Sequence, residues 1–471
     1  MTLNPLIKIL ASSALALTSM ASVTLVHASN AQAASTTCDA SLLAKATGKV
    51  NITFEESMTG GAVGGTGNKG KIGALIASYN ASQNKVHVTD VNDTGGYADT
   101  WTKYVSSIGG SGSTPNVVML AQEDTQAAAD TQSIVPISTC LKADTKASFK
   151  TFVTKATSAY TIGSTQVGMP FSVSTPVMYY NKQALTKSGI KTPPTTMAEL
   201  IADQKLLQQH GYKYGVAIKK DPWITTTWMG LADLPVLNNG NGHTSRATAA
   251  TFNNATSQAY WTAMQTVIKN GGLASSATGN ISTAYANIFA ISTDDAGITF
   301  DTTAALGSIQ DALPLFPNVT LGVAPLPTLT GKSVGSTPPG GNGLFIPKAN
   351  SNLETAAAWD FIKYLTSAAS IAKWSTGTGY IPIRTDSAAA WKQALSATQF
   401  GWYNVAYTAF STGKSDSATA GSVVGAYADI QGDLVTGLNG LTQSPWPSAS
   451  SLLTTAQNAA TTHILSYNGR L

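Results

Sequence analysis

The run Gly168-Met-Pro-Phe-Ser-Val-Ser-Thr-Pro-Val-Met-Tyr-Tyr-Asn-Lys182 constrains the fold of this chain more than any other feature. Residues 171–180 carry no charge, and β-branched and aromatic side chains dominate them. Such a composition suits extended chain on a buried surface. Pro170 and Pro176 each lack a backbone N–H, so the run is expected at a sheet edge or as a crossing strand, not as a central one. Tyr179 and Tyr180 are expected in the core or at an interface.

Around this run, short apolar strands alternate with helical patterns, which predicts an α/β protein. Val50–Phe54, Val86–Val91 and Asn116–Leu120 read as strands. Lys71–Asn80 reads as a helix with Ile72, Leu75, Ile76 and Tyr79 on one face, and Asp99–Ile108 as a second helix. Thr196-x-x-Glu199 and Ser351-x-x-Glu354 are capping boxes that open two more. The second of these helices carries Ala358, Phe361, Ile362 and Leu365 at core spacing. Trp359, Trp374 and Trp391 lie on helical patterns and are expected in the core. The Gly/Asn/Pro-rich stretches 235–245 and 330–343 read as loops.

The N-terminus sets the compartment. Lys8 precedes an apolar stretch from Ile9 towards Val26, and the small-residue triplet Ala31-Gln32-Ala33 follows. This predicts a secretory signal over residues 1–33, removed after Ala33. A retained anchor is the alternative, but Ser12, Ser13, Thr18 and Ser19 interrupt the apolar run. The two cysteines, Cys38 and Cys140, fit an exported protein with one disulfide. That bridge would close a loop of roughly 100 residues, worth about 4–5 kcal/mol on chain-entropy grounds. Ser35-Thr36-Thr37 before Cys38 lacks a lipoprotein processing pattern, so a disulfide is favoured over a lipid anchor. The histidines are scattered and neither cysteine has a metal-spaced neighbour, so no metal and no cofactor are expected.

Removal of the signal leaves roughly 440 residues, more than one core serves, so two lobes are expected. Charged residues make up only 11% of the chain and the formal net charge is +4, without basic clusters. That argues against nucleic acid, whose affinity comes from a Lys/Arg stripe.

Several of these segments resemble one family, the extracellular solute-binding proteins of ABC importers, and within it the glycerol-3-phosphate-binding branch. The run at 168–182 is similar to that family's crossing segment. Ile52-Thr-Phe-Glu-Glu-Ser-Met-Thr-Gly60 resembles its opening strand and loop, and Lys191-Thr-Pro-Pro-Thr-Thr-Met-Ala-Glu-Leu200 a helix start. Pro339-Gly-Gly-Asn-Gly-Leu-Phe345 and Thr378-Gly-Tyr-Ile-Pro-Ile383 resemble two late motifs. The resemblance implies a two-lobe periplasmic-binding-protein fold, with several crossing segments and a central ligand cleft. The lobes it implies are 48–171 plus 326–377 and 172–325 plus 378–471. It further implies a monomeric, exported receptor that is no enzyme. Such a receptor captures a carbohydrate or polyol and delivers it to a membrane permease.

The same resemblance assigns ligand-binding roles to Tyr97, Gln122, Ser174, Trp223, Thr302, Gly341 and Tyr380. Hydroxyls, amides and aromatic faces are what a sugar-like molecule requires. Gln122 stands where glycerol-3-phosphate binders carry Glu. Val423, within Gly421-Ser-Val-Val-Gly425, stands where they carry a phosphate-binding Arg. A phosphate without a fixed cation loses its strongest directional contact. The expected ligand is therefore an uncharged sugar or oligosaccharide, with glycerol 3-phosphate or a related phosphorylated polyol as the alternative. A secreted glycan-acting enzyme is the second alternative. Asp294-Asp295 and Glu55-Glu56 do not favour it, because neighbours on a strand point to opposite faces. Gly65-Thr-Gly-Asn-Lys-Gly-Lys-Ile72 imitates a phosphate loop, but Ile72 replaces the metal-binding hydroxyl.

Overall fold

The computed structural model describes residues 37–58, 67–276 and 286–471. The signal segment 1–33, Thr59-Gly60 and the start of the Gly65–Ile72 motif lie outside the described residues. The rest of that motif is not a loop, because Gly67–Ser82 forms one helix. It buries Ile72, Leu75, Ile76 and Tyr79 as their spacing requires.

Two sheets organise the chain. The first contains β1 (Val50–Glu56), β2 (Val86–Asn92), β3 (Val117–Ala121) and β4 (Ile134–Val135). A small hairpin follows, β5 (Thr161–Ile162) with β6 (Thr165–Gln166), and then β7 (Met169–Ser174) and β8 (Pro176–Asn181). The remaining strands are β9 (Gly215–Lys220), β10 (Leu273–Ser276), β11 (Ala296–Thr302), β12 (Leu321–Ala324) and β13 (Gly340–Pro347). The first sheet runs β2-β1-β3-β13-β4, with β7 also on β13; the second runs β10-β9-β11-β8-β12. β1 pairs parallel to both β2 and β3, and β9 parallel to both β10 and β11. The C-terminal ends of these parallel strands are where open α/β sheets take ligands.

The proline run behaves as two strands. β7 pairs with β13 alone among the strands, so Pro170 sits on an edge. Thr175 then carries the chain to the other sheet. β8 is central there, between β11 and β12, contrary to the edge expectation. It tolerates Pro176 because proline is its first residue. Tyr179 is buried, and its hydroxyl donates to the Thr302 carbonyl at 2.8 Å.

Residues 340–343 also depart from expectation: they are strand, not loop. β13 lies between β3 and β7 in spite of its glycines, because side chains and backbone approach it too closely for any Cβ. A Cβ at Gly340 would lie 2.4 Å from the Trp223 ring, and one at Gly343 would lie 2.5 Å from the Tyr160 ring. At Gly341, φ is +106° and a Cβ would meet the Ser172 carbonyl oxygen at 1.9 Å.

Each sheet has its own core. Under the first, Phe54 meets Phe361 edge-on at 5.4 Å, and the Tyr79 hydroxyl donates to Asp360 at 2.8 Å. Trp359, Trp374 and Trp391 are all buried there. Cys38 and Cys140 are joined in a disulfide that ties the N-terminal segment to this core. In the second core Trp228 stacks on Tyr260 at 4.8 Å and donates its indole N–H to Pro327. Both capping boxes are formed, at Thr196 and Ser351. No helix among the described residues is long and apolar enough to cross a membrane.

Candidate ligand cleft

Four of the seven expected site residues fall into two pairs joined by the start of β13. The first is a tyrosine pair. Tyr97 opens the helix Tyr97–Ile108, and its hydroxyl lies 3.1 Å from that of Tyr380. Asn342 donates its amide to the Tyr97 hydroxyl at 3.0 Å. Tyr380 stacks on Trp374, which stacks on Phe171. Tyr380 is therefore backed by two further rings in one stack.

The second group is Gln122 with Trp223. β3 ends at Ala121, which places Gln122 at the head of the turn Gln122–Asp124. Its amide donates to the carbonyls of Ala159 and Ser422, both at 3.3 Å, so one side chain touches both halves of the molecule. Trp223 follows β9. Asp221 caps its helix by accepting from the Trp223 N–H at 2.9 Å, and Pro222 takes the first helical position, where no N–H is needed. Gln122 and Trp223 line one cavity together with Asn241, Pro339, Ser422 and Tyr427. Trp223 lies outside both hydrophobic cores, and its buried indole N–H has no hydrogen-bond partner.

The other three have structural engagements. Ser174 is buried at the end of β7, opposite Gly340. The Thr302 hydroxyl accepts from the Ala304 N–H at 3.1 Å and caps a short turn. Gly341 is required by the Ser172 contact described above. Val423 is buried, with its N–H donating to Asn241 at 2.8 Å, while its neighbours Gly421 and Ser422 reach the cavity. The Asn241 carboxamide accepts from the Val236 and Leu237 N–H groups, so this wall is rigid.

The sequence reading passed over the acidic residues of the cleft. Glu123-Asp124 is a third adjacent acidic pair, one residue beyond a fully buried strand, and that position was the available signal. Burial pushes the Glu123 carboxyl up to about 7, with Asp221 adding to the rise. Burial and then Glu123 push Asp124 up to about 8. Asp221 is also raised by burial, partly offset by Lys219 at 3.8 Å. Among the described residues no three His, Cys, Asp or Glu side chains are grouped to hold a metal ion. Of the pairs weighed from sequence, Glu56 accepts from the Met58 N–H and from Asn92, while Glu55 lies beside Asp93. Their partners differ, as opposite faces of a strand require.

The profile of the bacterial extracellular solute-binding protein family matches residues 74–399. The sn-glycerol-3-phosphate-binding periplasmic protein UgpB of Yersinia pestis bv. Antiqua is 26% identical over 285 residues, which is 58% of this chain and 62% of that relative. The match thus spans about three-fifths of the relative's length. The UgpB structure from Mycobacterium tuberculosis, in complex with glycerophosphocholine, superposes with a TM-score of 0.70 at 20% identity, covering 89% of this chain and 100% of that one. The GacH receptor of Streptomyces glaucescens, solved unliganded and with acarbose, gives 0.70 at 16% identity, covering 88% and 98%. The fold is that of the two-lobe periplasmic solute-binding proteins, and the chain belongs to the family of bacterial extracellular solute-binding proteins.

Proposed function

We propose that this chain is the solute-capturing component of an ABC importer, exported and not lipid-anchored. In this reading it closes two lobes over an unphosphorylated sugar or oligosaccharide and delivers it to a membrane permease. The hinge divides the chain into 48–171 with 326–377 and 172–325 with 378–471. Ligand takes the place between Tyr97 and Gln122 on one side and Trp223 and Thr302 on the other, with Ser174, Gly341 and Tyr380 at the crossing.

The observation that carries the ligand class is the makeup of the cavity: amides, hydroxyls and aromatic rings line it, without a Lys or Arg. The relatives named for glycerol 3-phosphate make that anion the competing ligand. A phosphate dianion requires a fixed cation and is repelled by carboxylates. Arg384 cannot supply the cation, since both its outer nitrogens are engaged, with Asp386 at 2.6 Å and the Thr366 carbonyl at 3.2 Å. Lys182 follows the far end of β8, about 23 Å along the chain from the crossing at Thr175. Enzyme action is set aside because the family members reported above are binding proteins.

The test is a thermal-shift screen of sugars against glycerol phosphates, combined with product analysis. Ligand at a hundredfold its Kd adds about 2.7 kcal/mol. A neutral sugar should raise Tm more than glycerol 3-phosphate and be recovered intact. A larger shift from the phosphate, or turnover of the sugar, overturns the reading.

A further inference from the structure

One stretch of the cavity wall is gripped from both halves of the molecule. Gly421 and Ser422 line the cavity beside Trp223 and Tyr427. From the first half, the Gln122 amide donates to the Ser422 carbonyl at 3.3 Å. From the second, Nε2 of His243 lies 2.8 Å from the Gly421 carbonyl oxygen. A carbonyl only accepts, so Nε2 carries the proton in this contact. Gly421 has φ +87°, and a Cβ there would lie 3.3 Å from Oε1 of Gln122. The wall thus fits closely against Gln122, and two side chains hold its carbonyls.

His243 belongs to the second half, since Leu237 and Ala247 on either side of its loop are buried in that core. Its ring also meets the backbone of Thr161 in β5, whose neighbours Tyr160 and Ile162 pack with the first sheet. The ring is therefore covered by both halves. Burial lowers its proton affinity, against a partial rise from the Gly421 and Thr161 carbonyls. The uncharged ring suits the closed arrangement, and the protonated ring suits water. Charged groups on the surrounding elements are paired among themselves: Arg246 with Asp130, and Lys414 with Asp233 and Asp416. Arg470 lies over the Tyr467 ring at the end of the last helix, and the hairpin β5–β6 carries no charge. Burial pushes Glu123 and Asp124, beyond Gln122, up to about 7 and about 8, so their protonation acts in the opposite sense.

We propose that His243 is a positioning residue for the cavity wall and an acid-sensitive latch: uncharged, it holds Gly421 in place for ligand, and protonated, it favours separation of the halves. This rests on the reading of the chain as a sugar-capturing receptor whose lobes close over ligand. The sign follows from linkage. While the ring is neutral in both forms, its titration does not affect closure. As pH falls below the ordinary histidine value of about 6.5, the open form takes up the proton first and closure weakens. Captured ligand is held near neutral pH and let go in acid.

The experiment is calorimetric titration of the whole protein with glucose, maltose, trehalose, maltotriose and glycerol 3-phosphate at pH 7.5, repeated at pH 5 with the tightest binder. Wild type is compared with His243→Gln, whose amide can reach the Gly421 carbonyl without gaining charge, and with His243→Ala, which has no donor. At pH 7.5 the alanine variant should bind about 2- to 10-fold more weakly than wild type, and glutamine should restore most of that loss. Between pH 7.5 and 5, wild type should lose at least about threefold more affinity than His243→Gln. Titration of the probe, Glu123 and Asp124 is common to both proteins and cancels in that comparison. Parallel pH profiles, or full affinity in His243→Ala, overturn the inference and leave the receptor reading intact. Tightest binding of glycerol 3-phosphate overturns the neutral-sugar reading, and the same profiles with that probe still decide the role of His243. Binding of none of the five overturns both.

Discussion

Arg246 grips Asp130 with two nitrogens, at 3.0 and 2.6 Å, across the line where the two halves of the molecule meet. Tyr467 donates its hydroxyl to the same carboxylate at 3.0 Å. Asp130 ends a helix beside the first sheet, while Tyr467 and Ala247, next to Arg246, pack in the second core. The cluster is thus a clasp between the two halves, and none of its three residues lines the cavity beside Trp223.

The clasp can be removed without touching the cavity. Half-exposed ion pairs contribute about 0.2–1 kcal/mol, so Arg246→Ala should weaken ligand binding by at most about fivefold. Small-angle scattering should show a larger radius of gyration for the unliganded variant than for wild type, with the difference shrinking in high salt. An unchanged radius and unchanged Kd would mean that Arg246–Asp130 plays no part in closure.

The glycines of β13 separate fold from site. Gly341→Ala places a methyl against backbone at positive φ and should cost about 2–4 kcal/mol of stability. The atoms nearest a Cβ at Gly340 all belong to the Trp223 ring, a side chain beside the cavity that can shift where backbone cannot. The stability cost of Gly340→Ala should stay at about 1 kcal/mol, while ligand affinity falls. Urea unfolding with parallel binding curves distinguishes the two. Equal stability losses would show that the Trp223 ring is fixed as firmly as backbone.

Glycine in a central strand was the least legible part of the fold. Residues 330–343 read as loop because glycine weakens strands in isolation. What places Gly340, Gly341 and Gly343 in β13 is the approach of Trp223, Ser172 and Tyr160, which come from sequence-distant elements. Helices announced themselves better. The capping boxes at Thr196 and Ser351 and the apolar face of Ile72, Leu75, Ile76 and Tyr79 are local signals, and each is present as spaced. The edge reading held for β7 and failed for β8, since proline is excluded from the middle of a central strand but not from its first position. At the candidate site, Tyr97, Trp223 and Tyr380 were named through the family resemblance. Glu123 and Asp124 were not, because short-range pattern does not say which solvent-side turn another lobe will cover.

Unliganded stability should fall as the solution becomes alkaline. Burial pushes Glu56 up to about 7, and burial followed by Asp93 pushes Glu55 to about 7. A carboxyl whose folded value is raised favours the folded state in its protonated form. Its contribution is full below the ordinary carboxyl value and is lost as pH rises through about 7. Tm should therefore be higher at pH 5.5 than at pH 8.5, and Glu56→Gln should flatten the difference. A Tm that climbs over that range would contradict the assignment.

The disulfide fastens the N-terminal segment to the first core. Thiol labelling of denatured, unreduced protein should detect no free cysteine, and Cys38→Ser with Cys140→Ser should lose about 2–5 kcal/mol. Two labelled thiols in the wild type would mean that the bridge does not form.

The central claim is that ligand is held between walls from two lobes, with Trp223 as one of them. Calorimetric titration of Trp223→Ala with the ligand found by screening tests it most directly. Losing one stacking ring should weaken binding by roughly 5- to 150-fold, equivalent to about 1–3 kcal/mol. The unliganded Tm should hardly change, because Trp223 lies outside both cores. Normal affinity together with an early melt would make Trp223 a structural residue and contradict the cleft assignment.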